Sequence, residues 1–446
     1  MMSQVVKSEN KYQSAFRNLQ AAATGQPIVW FDRLRASAMA RFEELGMPSV
    51  DQEEWKYTNL AALARSDFDP VLDSTTTAVE PETLDRFTYG ESKNSELVLV
   101  NGVLRKELSS LKDAGGIVAI DLAEAISDNR YGEMVREHLA RGADHLTSGP
   151  TALNTAMISS GAFVLLPRNV QLVSPLHILC FSETDGPEIA TFPRILIIAE
   201  ENSSGTFIET YAGTDLHKYF TDAVVEIVLK NGARLAHYRV QREGAKAFHL
   251  ATTSAQLGRN SSYNGTAINL GGRLARHDIN VVMDDEGAEC WVDGLYLASS
   301  SQHTDTHSMI DHRQPHCTSH QLYKGILDGN ARAVFNGKIF VRHGAQKTDA
   351  MQTNKNLLLS PQAHVDTKPQ LEIFADDVKC AHGAAVGQLE EEELFYLETR
   401  GIHPDLARNL LTYGFAEEVI GKIQIESIRA QLDEAVLNRL NARLEA

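Results

Sequence analysis

From Ala162 to Gly387 the chain offers one short, β-branched apolar run after another and no long helix between them. AFVLLPRNVQLV, LHILCFS, RILIIAE, GTFIETYAG, AVVEIVLKNGARLAHYRV and ATTSAQLG open the series, and the pattern continues past Gly271-Gly272. This argues against a sheet of βαβ units, whose crossovers take about a dozen or more residues and are usually helical. A sandwich or barrel is compatible with the pattern. A β-solenoid accounts better for its length, because each coil buries its inner face on the next. Asn231-Gly232, Gly287-Ala288, Gly329-Asn330 and Gly344-Ala345 read as corners, although no fixed short repeat emerges.

Helical spacing flanks this run on both sides. Before it, helices are expected over Lys11–Ala23 and Trp30–Leu45. The second carries Trp30, Leu34, Ala38, Phe42 and Leu45 on one face and is closed by Gly46-Met47-Pro48. Glu96–Val103 reads as a strand, Asp121–Gly142 as helix and Ala152–Ser160 as a further short helix. After Gly387, Glu390 to Glu393 place negative charge at a helix start, where the dipole favours it. Helices over Pro404–Ile423 and Gln424–Glu445 follow. Their stripe comprises Leu406, Leu410, Leu411, Val419, Ile420, Ile423, Ile428, Leu432, Leu437 and Leu440. Such a stripe packs on its own domain or docks a partner. The expected organisation is a mainly helical region 1–155, a β-solenoid core 156–387 and a helical region 388–446.

With 42 basic against 59 acidic residues the formal charge is −17, which opposes nucleic acid and anionic membrane surfaces. Cys180, Cys290, Cys317 and Cys380 are sparse and form no CxxC, as reduced thiols in a reducing compartment would be. The first residues show no apolar signal region, and no stretch reaches the roughly 18 apolar residues of a membrane span. A soluble, cytoplasmic protein is expected.

Candidate chemistry concentrates between residues 303 and 387. His303, His307, His312, His316, Cys317 and His320 lie close in sequence, but Pro315 and the surrounding threonines favour extended structure over a helix. The row reads either as hydrogen-bonded histidines on stacked strands or as the metal site of a β-solenoid hydrolase or lyase. HExxH and a nearby Glu base are absent. Cys380 and His382, two apart, would share one strand face with Cα atoms about 7 Å apart. Thiolate and imidazole are competent ligands for iron or zinc, but two are too few to hold a metal tightly. The alternative is a buried Cys with a histidine satisfied by the backbone. Asn336-Gly337-Lys338 is no phosphate loop, and GxSxG and GxGxxG are missing after any strand. No catalytic residue is assigned. Ligands without catalytic machinery suggest a protein that holds an inorganic group and passes it on.

EEWKYTNL (53–60), PHCTSHQLYKGIL (315–327), NGKIFVRHGAQKTDA (336–350), QTNKNLLLS (352–360) and LEIFADDVKCAHGAAVG (371–387) together resemble the SufB/SufD family of iron–sulfur cluster assembly scaffolds. The resemblance implies a right-handed parallel β-helix flanked by N-terminal and C-terminal α-helical domains. It is to the SufD branch, through Cys380-Ala381-His382-Gly383-Ala384. Where the sister scaffold carries a cysteine implicated in assembly, this chain has Asn354, and it has none of the sister's extra cysteines before Cys180. The family pattern implies a heterodimer with a SufB-like scaffold, or a homodimer when alone. It also implies one SufC-like ATPase bound through the C-terminal helices, at Glu393, Leu394, Tyr396, Leu406 and Leu410, and sulfur supplied by a cysteine desulfurase system. A transient iron–sulfur cluster or iron would be shared with the partner subunit. His382 would be the ligand or the residue through which iron comes in, with Cys380 beside it and His316, Cys317 and His320 as weaker candidates. A reduced flavin accompanies such complexes, without a flavin motif in this chain. A purely structural subunit that stabilises SufB is the blander implication.

Overall fold

The computed structural model describes residues 11–22, 27–73, 77–184, 186–215 and 217–442. Ala23, residues 443–445 of the expected terminal helix and the side chain of Leu440 lie outside the described residues. The protein is mainly β, a solenoid of about eight turns with helices at both ends.

Successive strands alternate between two sheets. The first sheet runs from Ala162–Leu166 through Tyr219–Leu229, Phe248–Leu257, Leu274–Met283, His303–His312 and Arg332–Val341 to His364–Ile373. The second runs from Leu176–Ser182 through Arg234–Gln241, Ser262–Asn269, Glu289–Ala298, Thr318–Leu327 and Asp349–Leu358 to Lys379–Gly387. These strands pair in parallel with their counterparts one coil away, as a solenoid requires.

Equivalent residues stack in columns. On the first sheet Ile197, Ile227, Ala255, Val281, Ile310, Ile339 and Leu371 lie in register and face inward. Each buried aliphatic side chain contributes roughly 1.5–3 kcal/mol relative to exposure, and the neighbouring coils and the facing sheet supply that burial. Stepping from Phe248 to Leu274, His303, Arg332 and His364 advances the chain by 26, 29, 29 and 32 residues. The coil is regular in space and irregular in sequence.

One corner repeats a left-handed backbone residue in coil after coil: Asn202, Gly232, Asn260, Gly287, His316 and Lys347, with φ between 52° and 72°. Each donates its N–H to a carbonyl of the next coil, ending with Lys347 to Asp377. Glycine and asparagine tolerate this region most readily, which is why Asn231-Gly232 and Gly287-Ala288 were legible as corners. At the expected Gly344-Ala345 corner the left-handed residue is Lys347 instead.

The helical ends cover opposite sheets. Val29–Leu45 and Gly149–Ala156 pack on the outer face of the first sheet, with Phe42, Leu153 and Met157 against Phe220, Phe248 and Leu274. Pro404–Ile420 and Glu426–Ala442 cover the second sheet, with Val419, Ile420, Ile428 and Leu432 against Tyr238, Leu295, Leu322 and Ile326. Asp121–Gly142 is not one helix but two short ones, Leu122–Ser127 and Gly132–His138. Asp128 breaks it: its backbone is extended and its carboxylate accepts the N–H of Arg130 at 2.6 Å, a local bond that competes with the helix.

The N-terminal region also adds strands to the solenoid. Glu96–Val100 extends the second sheet beside Leu176–Ser182, and Val118–Asp121 runs antiparallel to Ala162–Leu166 in the first. A buried charge cluster fastens it further. Glu226 pairs with Arg194 and accepts the backbone N–H groups of Ala140, Arg141, Gly142 and Ala143. Five donors satisfy a carboxylate that would otherwise be costly to bury. No described helix is long and apolar enough to cross a membrane.

Candidate functional site

The solenoid's beginning and end differ in closure. Leu176–Ser182 and Arg194–Ala199 are buried along their whole length, whereas His364–Ile373 and Lys379–Gly387 are half-buried or exposed almost throughout. Among the described residues these two strands are the last in their sheets, with no further coil stacked beyond them.

Cys380 and His382 lie on this last strand. Cys380 pairs in register with Ala350, and His382 with Gln352. Ala350 belongs to the core and Cys380 packs against it, so alternation turns His382 to the same inward, uncovered side. Cys380 is half-buried and His382 is exposed. Burial pushes the Cys380 thiol above its ordinary value, and the nearby Asp349 carboxylate adds to the effect. The group therefore rests as a thiol and needs a metal or a neighbouring cation to become a thiolate. Two such side chains would make up half of a four-ligand set. Asn354, one strand inward, is wholly buried. It donates to Tyr296 Oη and to the Tyr323 carbonyl, both at 3.3 Å, and accepts from Thr367 Oγ1 at 2.8 Å and Asn356 Nδ2 at 2.6 Å. Its amide is fully used in holding the end of the solenoid together.

The weaker candidates separate. His316 is an exposed corner residue with φ 60°. Cys317, next to it, turns into the core with Sγ 3.4 Å from the Asp285 carbonyl. His320 faces outward from the second sheet and stacks on Trp291, ring centroids 6.2 Å apart at 11°. A corner followed by an alternating strand sends three near-neighbours to three surfaces.

The rest of the histidine row disperses too. His312 is buried in an aliphatic column, paired in register with Met283 and Val341. Its Nε2 lies 2.8 Å from Ser319 Oγ, and burial lowers its pKa to about 4 despite the adjacent Asp311. His303 and His307 face outward from the first sheet onto EEWKYTNL. Thr58 Oγ1 donates to Asp305 at 2.6 Å and lies 2.8 Å from His303 Nε2. His307 is held between two carboxylates, Nε2 3.2 Å from Asp305 and Nδ1 3.4 Å from Glu54. Burial is the largest single influence and opposes its charge, but Asp305 and Glu54 together prevail and raise the pKa to about 9. The His307 bond in turn lowers Glu54 to about 2. An imidazolium with both nitrogens engaged has no lone pair for a metal. No group of three or more potential ligands is placed around a metal position among the described residues. The row assembles no hydrolase site.

EEWKYTNL is thus a clasp between the N-terminal region and the solenoid, a role sequence reasoning missed because its partners lie some 250 residues away. Arg276, pinned by Asp278 and Asp305, donates to the Glu54 carbonyl at 2.6 Å and stacks over Trp55 at 3.6 Å. The charges lining the adjacent cleft of about 460 Å³ are largely spent on one another.

The C-terminal apolar stripe divides. Val419, Ile420, Ile423, Ile428 and Leu432 are buried on the second sheet, while Leu406, Leu410 and Leu437 stay exposed, as do Phe395 and Tyr396 outside the stripe. Glu393 is exposed and Leu394 half-buried on Glu391–Thr399, a helix with no buried residue.

The fold is a two-sheet solenoid with one sealed end and one open end that carries Cys380 and His382. Comparison with known proteins gives the family. Residues 181–415 match the "SUF system FeS cluster assembly, SufBD core domain" and residues 6–178 the "SufBD protein N-terminal region". An iron–sulfur cluster assembly SufBD family protein of Synechocystis is 35% identical over 428 residues, covering 94% of this chain and 93% of that one. The iron–sulfur cluster assembly protein SufD of Escherichia coli is 31% identical over 402 residues, 90% of each chain. SufD of Bacillus subtilis is 27% identical over 420 residues, 91% of this chain and 93% of that one. The chain belongs to the SufBD family of iron–sulfur cluster assembly proteins.

Proposed function

We propose that this chain is a SufD-type scaffold subunit, non-enzymatic itself, whose open solenoid end is completed by a SufB-like scaffold. The observation that carries the reading is the placement of Cys380 and His382 on the inward face of an uncovered terminal strand. Val386, Ile373 and Phe374 are exposed around them by 47%, 40% and 47%, an apolar rim suited to burial against a second protein. The nascent iron–sulfur cluster is the cargo of this junction, with sulfur from a cysteine desulfurase system. His382 supplies one ligand from this side and Cys380 a second or a supporting thiol, and the partner supplies the rest. Phe395, Tyr396, Leu406 and Leu410, with Glu393 and Leu394, form the surface for a SufC-like ATPase. ATP-driven pairing of the ATPases then moves the two scaffolds relative to each other.

The test is co-expression with the companion scaffold and ATPase, anaerobic purification, and absorbance of wild type against His382→Ala. Loss of the cluster chromophore from a still-assembled variant complex is expected. An unchanged chromophore makes the chain a structural subunit, with the chemistry on its partner.

A further inference from the structure

Four of the motif segments meet in one layer at the open end, each contributing one residue. Gln321, Gln352 and His382 are consecutive in register on the second sheet, and Gly337 faces them from the first. Gln321 and Gln352 are buried, and Gln352 donates from Nε2 to Gln321 Oε1 at 2.7 Å. This leaves Gln352 Oε1 and Gln321 Nε2 without a partner among the described residues. A buried amide oxygen left unbonded is costly, so its surroundings point to the intended donor. Gln321 occupies one side of Gln352, and on the other the neighbour in register is His382. With its nitrogen turned towards Gln321, the amide leaves its oxygen to another side, and His382 is the in-register neighbour across from Gln321. Gly337 leaves room for this arrangement: a Cβ there would meet Gln352 Nε2 at 2.3 Å and Cδ at 2.7 Å.

We propose that Gln352 is a positioning residue for His382, accepting one imidazole N–H so that the other ring nitrogen presents its lone pair to the junction. A hydrogen bond on one ring nitrogen fixes the tautomer and ring orientation of a ligating histidine. The inference rests on the reading of His382 as a cargo ligand, but its test does not use cluster assembly.

The full chain is labelled with ring-¹⁵N histidine, and the His382 signals are identified by their loss in His382→Ala. Spectra are recorded near pH 9, where free imidazole is neutral. In the wild type the His382 tautomer ratio should differ from that of unstructured histidine by about fivefold, which one ordinary hydrogen bond sustains. Gln352→Met, similar in length but without the acceptor, should return the ratio to the unstructured value. Gln352→Glu keeps an acceptor and should preserve it, with Gln321 Nε2 turning to donate. Gly337→Ala should disturb it by displacing the amide. Unchanged signals from the buried His312 and His237 show in each variant that the interior is intact. A wild-type ratio equal to that of free histidine, or one unmoved by Gln352→Met, overturns the proposal. If His382→Ala leaves the cluster chromophore intact while the tautomer still depends on Gln352, only the cargo reading falls.

Discussion

The first and last coils are built from the same kind of strand, yet one is a sealed core and the other an unfinished surface. At the beginning, Glu96–Val100 and Val118–Asp121 each add a strand beyond the first coil, while helices and the Arg194–Glu226 cluster bury the outer face of the first sheet. At the end the columns run out: Ile339 is fully buried, while its in-register neighbour Leu371 is only partly covered. An uncapped solenoid end is an aggregation liability unless another protein covers it. The difference teaches that a solenoid strand is sealed only by what stacks beyond it, and that Cys380 and His382 lie where a covering protein would enclose them.

The contrast can be broken most severely at the sealed end. Arg194→Met should destabilise the protein by about 3–5 kcal/mol in urea titration, because it leaves Glu226 buried without its counter-ion. Next, Ile339→Ala should cost about 2–5 kcal/mol in the same assay. Leu371→Ala, one coil later in the same column, should cost under about 1 kcal/mol in the isolated chain. Equal losses would mean that the last coil is closed after all.

The clasp sharpens the comparison through pH. His307 has a folded pKa of about 9, above the ordinary 6.5, so the folded state binds the extra proton between these values. Its stabilisation is complete below about 6.5 and is lost as pH rises through 9. His312 works in the opposite direction. Its folded pKa of about 4 means that the unfolded chain gains a proton first, so stability falls as pH drops from about 6.5 to 4. Melting temperature against pH should therefore decline on both sides of neutrality, and His307→Gln should flatten the alkaline side alone. The smallest effect on folding belongs to the exposed helices. Leu406→Ser with Leu410→Ser should change stability within about 0.5 kcal/mol while markedly weakening capture of a SufC-like ATPase in a pull-down.

The strand run without crossover helices made the solenoid legible, and Gly232 and Gly287 made its corner visible. The repeat itself was hidden, because coils of 26 to 32 residues share a spatial pitch without a sequence period. His316 and Lys347 occupy corner positions that composition does not betray. Cys380 and His382 were readable as a pair because strand alternation is a local rule. The clasp of Glu54 on His307 and the layer of Gln321, Gly337 and Gln352 were not, since register between distant strands decides them. Their only trace was that Glu54, Gln321, Gly337 and Gln352 each lie within one of the motif segments.

Hydrogen–deuterium exchange along residues 379–387 tests the central claim most directly, comparing the monomeric chain with its complex with the companion scaffold. The account predicts rapid exchange in the monomer and strong protection in the complex, while residues 176–199 stay protected in both. Equal exchange at 379–387 in both states would contradict it, leaving the open end uncovered and Cys380 and His382 unenclosed.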